Sequence, residues 1–341
     1  MKKQIIFLSG IASACALHGA FAQSSVTLYG VIDNGIEYQS GGNGGVVRAS
    51  SGGLDATVYG LTGTEDIGGG VHINFKLEQG FSAFTGAASV ASDAFNRLAW
   101  VGVSGDFGEF RFGRQKKPEY LFLNNEMDAI GVQSLGSPIN NFNSETVRAS
   151  NAIAYLAPTF YGLTAQFMVS MRDSTTKPSN GLQFYNVAVR YVNGPFRAAA
   201  GYEQQDAADG TSVQRILRAV TSYALGSARF FLAYQSERQS DNSENLRIYS
   251  ASASYSFSPA DRLALMYGFA HDRTGMGNNA QQVGLTYAYY LSKSTILYTS
   301  AGFIQNRNKA NFTLNGTEYS GIDVVPGSNA RGAIVGIIHK F

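Results

Sequence analysis

No stretch of the chain reaches the roughly 20 consecutive apolar residues that a membrane-spanning helix requires. The nearest approach, residues 5–17, lies at the start of the sequence. It follows Met1-Lys2-Lys3 and precedes Ala20-Phe21-Ala22, the basic, apolar and small-x-small parts of a secretory signal, so cleavage is expected after Ala22. The chain has one cysteine, Cys15, and it lies inside that segment. Ser13-Ala14 before it supplies no lipobox leucine, which argues against a lipoprotein signal. Residues 23–341 hold no thiol, and an exported chain of that kind uses neither disulfides nor thiolate metal sites. A charge excess is missing too. Of the 26 basic residues, Lys2 and Lys3 belong to the signal, leaving 24 against 24 acids. A nucleic-acid partner would want a basic excess, so none is expected.

Proline is scarce at 7 residues, whereas glycine (39), tyrosine (19) and phenylalanine (22) are plentiful. About 319 residues of ordinary hydropathy could make two soluble domains. Yet no interdomain linker and no long amphipathic helix interrupts them. What recurs is alternation with period two, the mark of a strand with two unlike faces. Phe230, Leu232 and Tyr234 alternate with Arg229, Ala233 and Gln235. Leu263, Leu265, Tyr267 and Phe269 alternate with small residues, as do Val283, Leu285, Tyr287 and Tyr289. Val187, Val189 and Tyr191 alternate with Asn186, Ala188 and Arg190. In a soluble sandwich the polar face would be rich in Lys and Glu. Here that face carries Gly, Ala, Ser, Thr, Asn and Gln with scattered Arg, as a wet, confined interior would.

Turn signals fix the topology. Short turns at Ser104-Gly105-Asp106-Phe107-Gly108, Asn193-Gly194-Pro195, Leu225-Gly226-Ser227, Ser258-Pro259-Ala260-Asp261 and Ser292-Lys293-Ser294 alternate with long polar connections. The long connections are read at 39–53, 116–147, 172–180, 205–212, 239–245, 274–280 and 308–329. Short turns on the periplasmic side and long loops outside are the rule for outer-membrane barrels. The segments are 25–38, 54–64, 71–81, 95–104, 109–115, 148–156, 163–171 and 182–192, then 196–204, 213–224, 228–238, 246–257, 262–273, 281–291, 295–307 and 330–341. That is sixteen, an even number, as closure demands where an open sheet edge would meet lipid. The expected fold is all-β, a sixteen-stranded antiparallel transmembrane β-barrel. Aromatics at strand ends (Tyr38, Phe81, Tyr155, Tyr202, Tyr255, Phe257, Tyr289, Tyr290 and Phe341) read as interfacial girdles.

The chain resembles the general trimeric porins of Gram-negative bacteria, of betaproteobacterial type. The resemblance rests on Ser25-Val26-Thr27-Leu28-Tyr29-Gly30-Val31-Ile32-Asp33, Gly63-Thr64-Glu65-Asp66-Ile67-Gly68 and Phe107-Gly108-Glu109-Phe110-Arg111-Phe112-Gly113-Arg114-Gln115. It rests also on Arg148-Ala149-Ser150-Asn151-Ala152-Ile153-Ala154-Tyr155 and the closing Val335-Gly336-Ile337-Ile338-His339-Lys340-Phe341. It implies a homotrimer of separate water-filled pores for passive diffusion of ions and small hydrophilic solutes. It also implies a lipid and lipopolysaccharide environment, and an assembly machinery that reads the terminal Phe341. Its third loop folds into each lumen, with acids on the loop facing arginines on the wall. That places Glu119, Glu126, Asp128 and Glu145 on the loop at 116–147. Arg111, Arg114 and Arg148 stand on the wall, with Arg97 as a further candidate. Arg190, Arg197 and Arg218 add to a positive wall and lean the expected selectivity towards anions. Two departures are Thr57-Val58-Tyr59-Gly60 and Ile338, each where the family often has Arg.

Other readings compete. Gly68-Gly69-Gly70 lacks the Lys-Ser/Thr of a phosphate loop. Asp206-Ala207-Ala208-Asp209-Gly210 is too short for a calcium loop. The histidines beyond the signal, His72, His271 and His339, show no paired spacing, so neither metal nor cofactor is expected. No Gly-x-Ser-x-Gly supports a barrel hydrolase. An adhesive barrel would plug its lumen, and a substrate-selective channel would share the fold.

Overall fold

The computed structural model describes residues 25–131, 133–144, 146–172, 182–207 and 210–341. The expected signal (1–22), the candidate Glu145 and most of the connection at 172–180 lie outside the described residues.

Eighteen strand segments make one antiparallel sheet. In chain order they are β1 (Ser25–Ser40), β2 (Gly45–Ser51), β3 (Val58–Gly68), β4 (Val71–Gly80), β5 (Leu98–Gly105), β6 (Gly108–Lys116), β7 (Arg148–Ala149), β8 (Ala152–Leu156) and β9 (Leu163–Met171). There follow β10 (Leu182–Asn193), β11 (Phe196–Asp206), β12 (Val213–Leu225), β13 (Ala228–Gln239), β14 (Asn245–Ser258), β15 (Asp261–Asp272), β16 (Ala280–Tyr290), β17 (Thr295–Asn306) and β18 (Ala330–Lys340). Segments β2 and β3 pair in turn with the two ends of β1, and β7 and β8 both pair with β6. Each couple is one barrel strand with a break, so eighteen segments are sixteen strands. The seam joins β1 to β18, from Val31↔Lys340 to Ser40↔Arg331, and leaves no free edge.

The alternation read from the sequence becomes the two faces of the wall. Phe230, Leu232, Leu265 and Val283 project outward and are more than half exposed. Asn186, Gln235, Gln282 and Ser300 project inward and are buried. Apolar outside and polar inside is the inverse of a soluble core, and it suits a wall between lipid and a polar lumen.

The structure corrects the connections. The expected long link at 39–53 is a tight turn at 41–44, because β1 and β2 continue pairing as far as Ser40↔Gly45. The irregular stretch lies at 52–57 instead, where the Asp33 carboxylate accepts the Leu54 and Asp55 amides at 2.6 Å each and holds the chain off the ladder. A long connection at 81–97 joins β4 to β5, taking in residue 81 and residues 95–97, which were expected to belong to the strands on either side. The 116–147 segment, read without helices, contains α1 (Pro118–Met127) and α2 (Pro138–Phe142). Both begin with proline, whose fixed φ and missing N–H suit a first helical turn. Ser137 caps α2 by accepting the Asn140 amide at 3.1 Å.

Candidate functional site: the lumen between the third and eighth loops

The third loop, joining β6 to β7, lies along the inner face of the wall. Its first residue, Lys117, is fully buried and meets Glu203 of β11 at 2.5 Å, while Asn186 of β10 donates to the other Glu203 oxygen at 3.1 Å. Helix α1 then crosses β10 to β12. Residues 119, 122, 123 and 126 fall on one face at helical spacing, and Glu119, Phe122, Leu123 and Glu126 are all buried against the wall. Glu119 pairs with Arg218 at 3.4 Å. Glu126 takes Arg197 at 3.0 Å and the Ser222 hydroxyl at 2.5 Å. Asp128 accepts the Ser137 hydroxyl and the Ile130 amide (2.9 Å), which folds the loop on itself.

Glycines on the wall receive the rest of the loop. A Cβ on Gly201 would stand 2.6 Å from Glu119, and one on Gly302 2.6 Å from the Leu135 carbonyl. A Cβ on Gly268 would collide with Pro138, and one on Gly284 with the Gly136 backbone. Hydrogen bonds fix the same contact. Gln282 donates to the Leu135 carbonyl at 3.0 Å and Ser252 accepts the Ala129 amide at 2.9 Å. The inward glycines and serines therefore seat the loop.

Among the described residues the two glutamates of α1 pair with Arg218 and Arg197. Neither Arg111, Arg114 nor Arg148 forms an ion pair with Glu119, Glu126 or Asp128. The reason is the helix: its period turns both glutamates of α1 to the β11–β12 wall, where Arg197 and Arg218 wait. Arg111 is inward, as its alternation with exposed Phe110 and Phe112 requires. Its guanidinium lies over the Trp100 ring at 4.4 Å and pairs with Glu109 at 2.7 Å. Gly113, at φ 122°, breaks the strand's rhythm, and Arg114 donates to the Asn96 carbonyl and the Ser150 hydroxyl at 2.7 Å each.

Two of the candidates do come together. Arg97 is buried, meets Glu78 of β4 at 2.7 Å and is bound by Glu318. Arg148 stands 3.9 Å from the same Glu318 oxygen. Lys116 sits in the field of Arg97, Arg148 and Lys76, with its ammonium 5.1 Å from the Tyr120 ring. Tyr120 is the residue α1 turns away from its glutamates, and burial holds its phenol above the ordinary range, so it stays neutral. Lys76 caps the Tyr29 ring at 4.6 Å, and Tyr29 donates to Glu78 at 2.7 Å. Four cations (Lys76, Arg97, Lys116, Arg148) thus surround two acids (Glu78, Glu318).

Glu318 was missed in the sequence because it belongs to the eighth and last loop, 307–329, read as extracellular. That loop turns inward. Leu314 is fully buried, Phe312 packs on Phe142 of the third loop with centroids 5.0 Å apart, and Asn140 donates to the Asn315 carbonyl at 2.9 Å. Tyr319 donates to Glu37 of β1, and Arg48 pairs with Glu37 at 2.9 Å. Burial and the Glu37 carboxylate push the Tyr319 phenol well above its ordinary range.

A family model described as Gram-negative porin matches residues 9–309. The chain is 31% identical, over the full length of both, to outer membrane porin protein 32 of Delftia acidovorans. It is 27% identical to major outer membrane protein P.IB of Neisseria meningitidis serogroup A, over 89% of this chain and 94% of that one. Among solved structures, an anion-selective porin from Comamonas acidovorans superposes with a TM-score of 0.82 at 28% identity, covering 94% of this chain and all of the other. The trimer form of OmpT of Vibrio cholerae, at 15% identity and TM-score 0.71, shares the fold.

Proposed function

Because the chain belongs to the Gram-negative porin family and closes into a sixteen-stranded barrel, we propose that this outer-membrane porin admits ions and small hydrophilic solutes with a preference for anions, set between the third and eighth loops. Its family is one of channels rather than enzymes, and we read the chain as having no catalytic chemistry. The observation that carries the anion preference is the local charge balance. Lys76, Arg97, Lys116 and Arg148 outnumber Glu78 and Glu318 on the wall beside the start of the third loop. Glu119 and Glu126 are spent on Arg218 and Arg197, so they subtract nothing there. A net positive ring in a narrow aqueous passage lowers the barrier for anions and raises it for cations. The structurally similar Comamonas porin, described as anion-selective, supports the same reading.

Further parts of the proposal follow from the family. Residues 1–22 act as a removed signal and 23–341 as the barrel; three copies associate; Phe341 is read during assembly. The test is planar-bilayer recording under a salt gradient. Wild type should give a reversal potential of anion-selective sign, with conductance in triplets. Replacing Arg97 and Arg148 together by Ala should move the potential toward the cation side. A cation-selective wild type overturns the reading, and so does a double variant with an unchanged potential.

A further inference from the structure

At the outer mouth the third and eighth loops meet the connections at 240–244 and 273–279. Together they enclose a cavity of about 230 Å³, whose lining includes neither Arg97 nor Arg148. At about 30 Å³ per water, that is room for about eight water molecules or one small organic solute. Its walls are cross-linked. Asn308 donates to the Met276 and Gly277 carbonyls at 3.1 and 2.9 Å, and Asn278 accepts the Lys309 amide at 3.0 Å. Asn306 brackets Phe312, accepting its amide at 3.1 Å and donating to its carbonyl at 3.0 Å. On the third-loop side, the Ser144 hydroxyl donates to buried Glu237 at 2.6 Å.

The lining divides by chemistry. Phe142, Phe312, Leu246 and Ala310 supply an apolar floor, with the two phenyl rings edge to face at 5.0 Å. Glu244 and Asp272 bring negative charge to the same space, and Lys309 brings positive charge. Yet among the described residues no ion pair joins Lys309 to either acid. Asp272 is held by the Thr274 and Asn278 amides at 2.8 Å each and by the Thr274 hydroxyl at 2.6 Å. The half-buried Glu244 carboxylate accepts no hydrogen bond among the described residues. Opposite charges that line one cavity without meeting are both left for a solute.

We propose that this cavity is an entry site for a free α-amino acid with a small apolar side chain. Its carboxylate meets Lys309 and the exposed Asn311, its ammonium meets Glu244 with Asp272 behind it, and its side chain lies on the phenylalanine floor. Hydrogen bonds between ionised partners are about twice as strong as neutral ones, so a zwitterion gains at both ends. A solute with one charge satisfies one side and leaves the other unanswered. A neutral sugar answers neither charge and wets an apolar floor. The site goes beyond the anion preference, because a zwitterion carries no net charge for that field to select.

Saturation-transfer-difference NMR on the detergent-solubilised barrel tests this, with leucine as the probe and empty micelles as the blank. Isocaproate, which lacks the ammonium, isoamylamine, which lacks the carboxylate, and glucose are the comparisons. Leucine should bind saturably, with transfer strongest at its methyl protons, and roughly tenfold or more tightly than either single-charge analogue. Glu244→Gln and Lys309→Gln should each weaken leucine about tenfold. Semi-native electrophoresis checks that both variants are folded. Arg97→Ala with Arg148→Ala should leave leucine binding unchanged, so this inference and the anion preference fail separately. Equal affinity for leucine and either analogue overturns the inference, as does undiminished leucine binding in either charge variant. Glucose bound as tightly as leucine would make the cavity a general polar site and overturns it too.

Discussion

Lys117 and Glu203 are almost completely enclosed and pair directly with each other. Removing one partner of such a pair strands the other, at a cost of about 3–5 kcal/mol. Glu203→Ala should therefore lower the temperature at which the folded barrel converts to its slower-migrating form on semi-native electrophoresis. Lys117→Met with Glu203→Leu should recover most of that loss, because volume is restored with no orphaned charge. Gly284 makes a different point. Its added Cβ meets backbone, which cannot swing aside, so Gly284→Ala should unseat the Gly136 turn and change single-channel conductance. An unchanged trace would show that the loop does not depend on that contact. At Glu318 the effect is electrostatic. Glu318→Gln removes the acid shared by Arg97 and Arg148 and should strengthen anion preference, read as a larger reversal potential of the same sign. Where side-chain facing is legible in the sequence it follows from period: Phe110 and Phe112 face outward, so Arg111 between them points inward. Arg114 broke the rule because Gly113 at φ 122° is invisible to a count of two.

Among the elements, strands were legible and loops were not. A strand declares its faces to lipid and water through side-chain alternation, whereas a loop's path depends on partners distant in sequence. Glu119 and Glu126 show the cost. Read as acids on an irregular segment they were free to face any arginine, and only the helical spacing of α1 commits them to Arg218 and Arg197. The last loop shows it again, since Leu314 and Phe312 are the apolar anchors that draw it inside, and they looked like ordinary loop residues. Deleting 129–136, the stretch between the two helices, should raise single-channel conductance while the barrel stays folded. Unchanged conductance would mean that the narrowest point lies elsewhere. Shortening the last loop across 312–322 should raise conductance too, and it should also release Arg97 and Arg148 from Glu318, so selectivity moves with it. Deletion of the third-loop segment alone should leave that pair in place.

For the molecule as a whole, the balance of 24 basic against 24 acidic residues in 23–341 predicts nothing about ion preference, because fields in the lumen are local. Salt screens exposed charges over about 8 Å at physiological strength and about 3 Å at 1 M. The anion preference should therefore shrink between 0.1 M and 1 M salt, a change read directly from reversal potentials at a fixed gradient ratio. A preference independent of salt would point to a steric filter. The sixteen-fold closure was legible because lipid tolerates no open edge. The breaks in the second and sixth strands were not, since Asp33 and Asn151 act through local geometry that alternation does not record. The seam has one more consequence, in time. Val31 waits for Lys340, and the backbone of Gly30 for Phe341. The strand that leads across the inner membrane has its partner in β18, so the barrel cannot close while the chain is still emerging. Every copy must cross the periplasm as an open polymer with its Phe and Leu rows uncovered, and its survival there is a race between escort and aggregation.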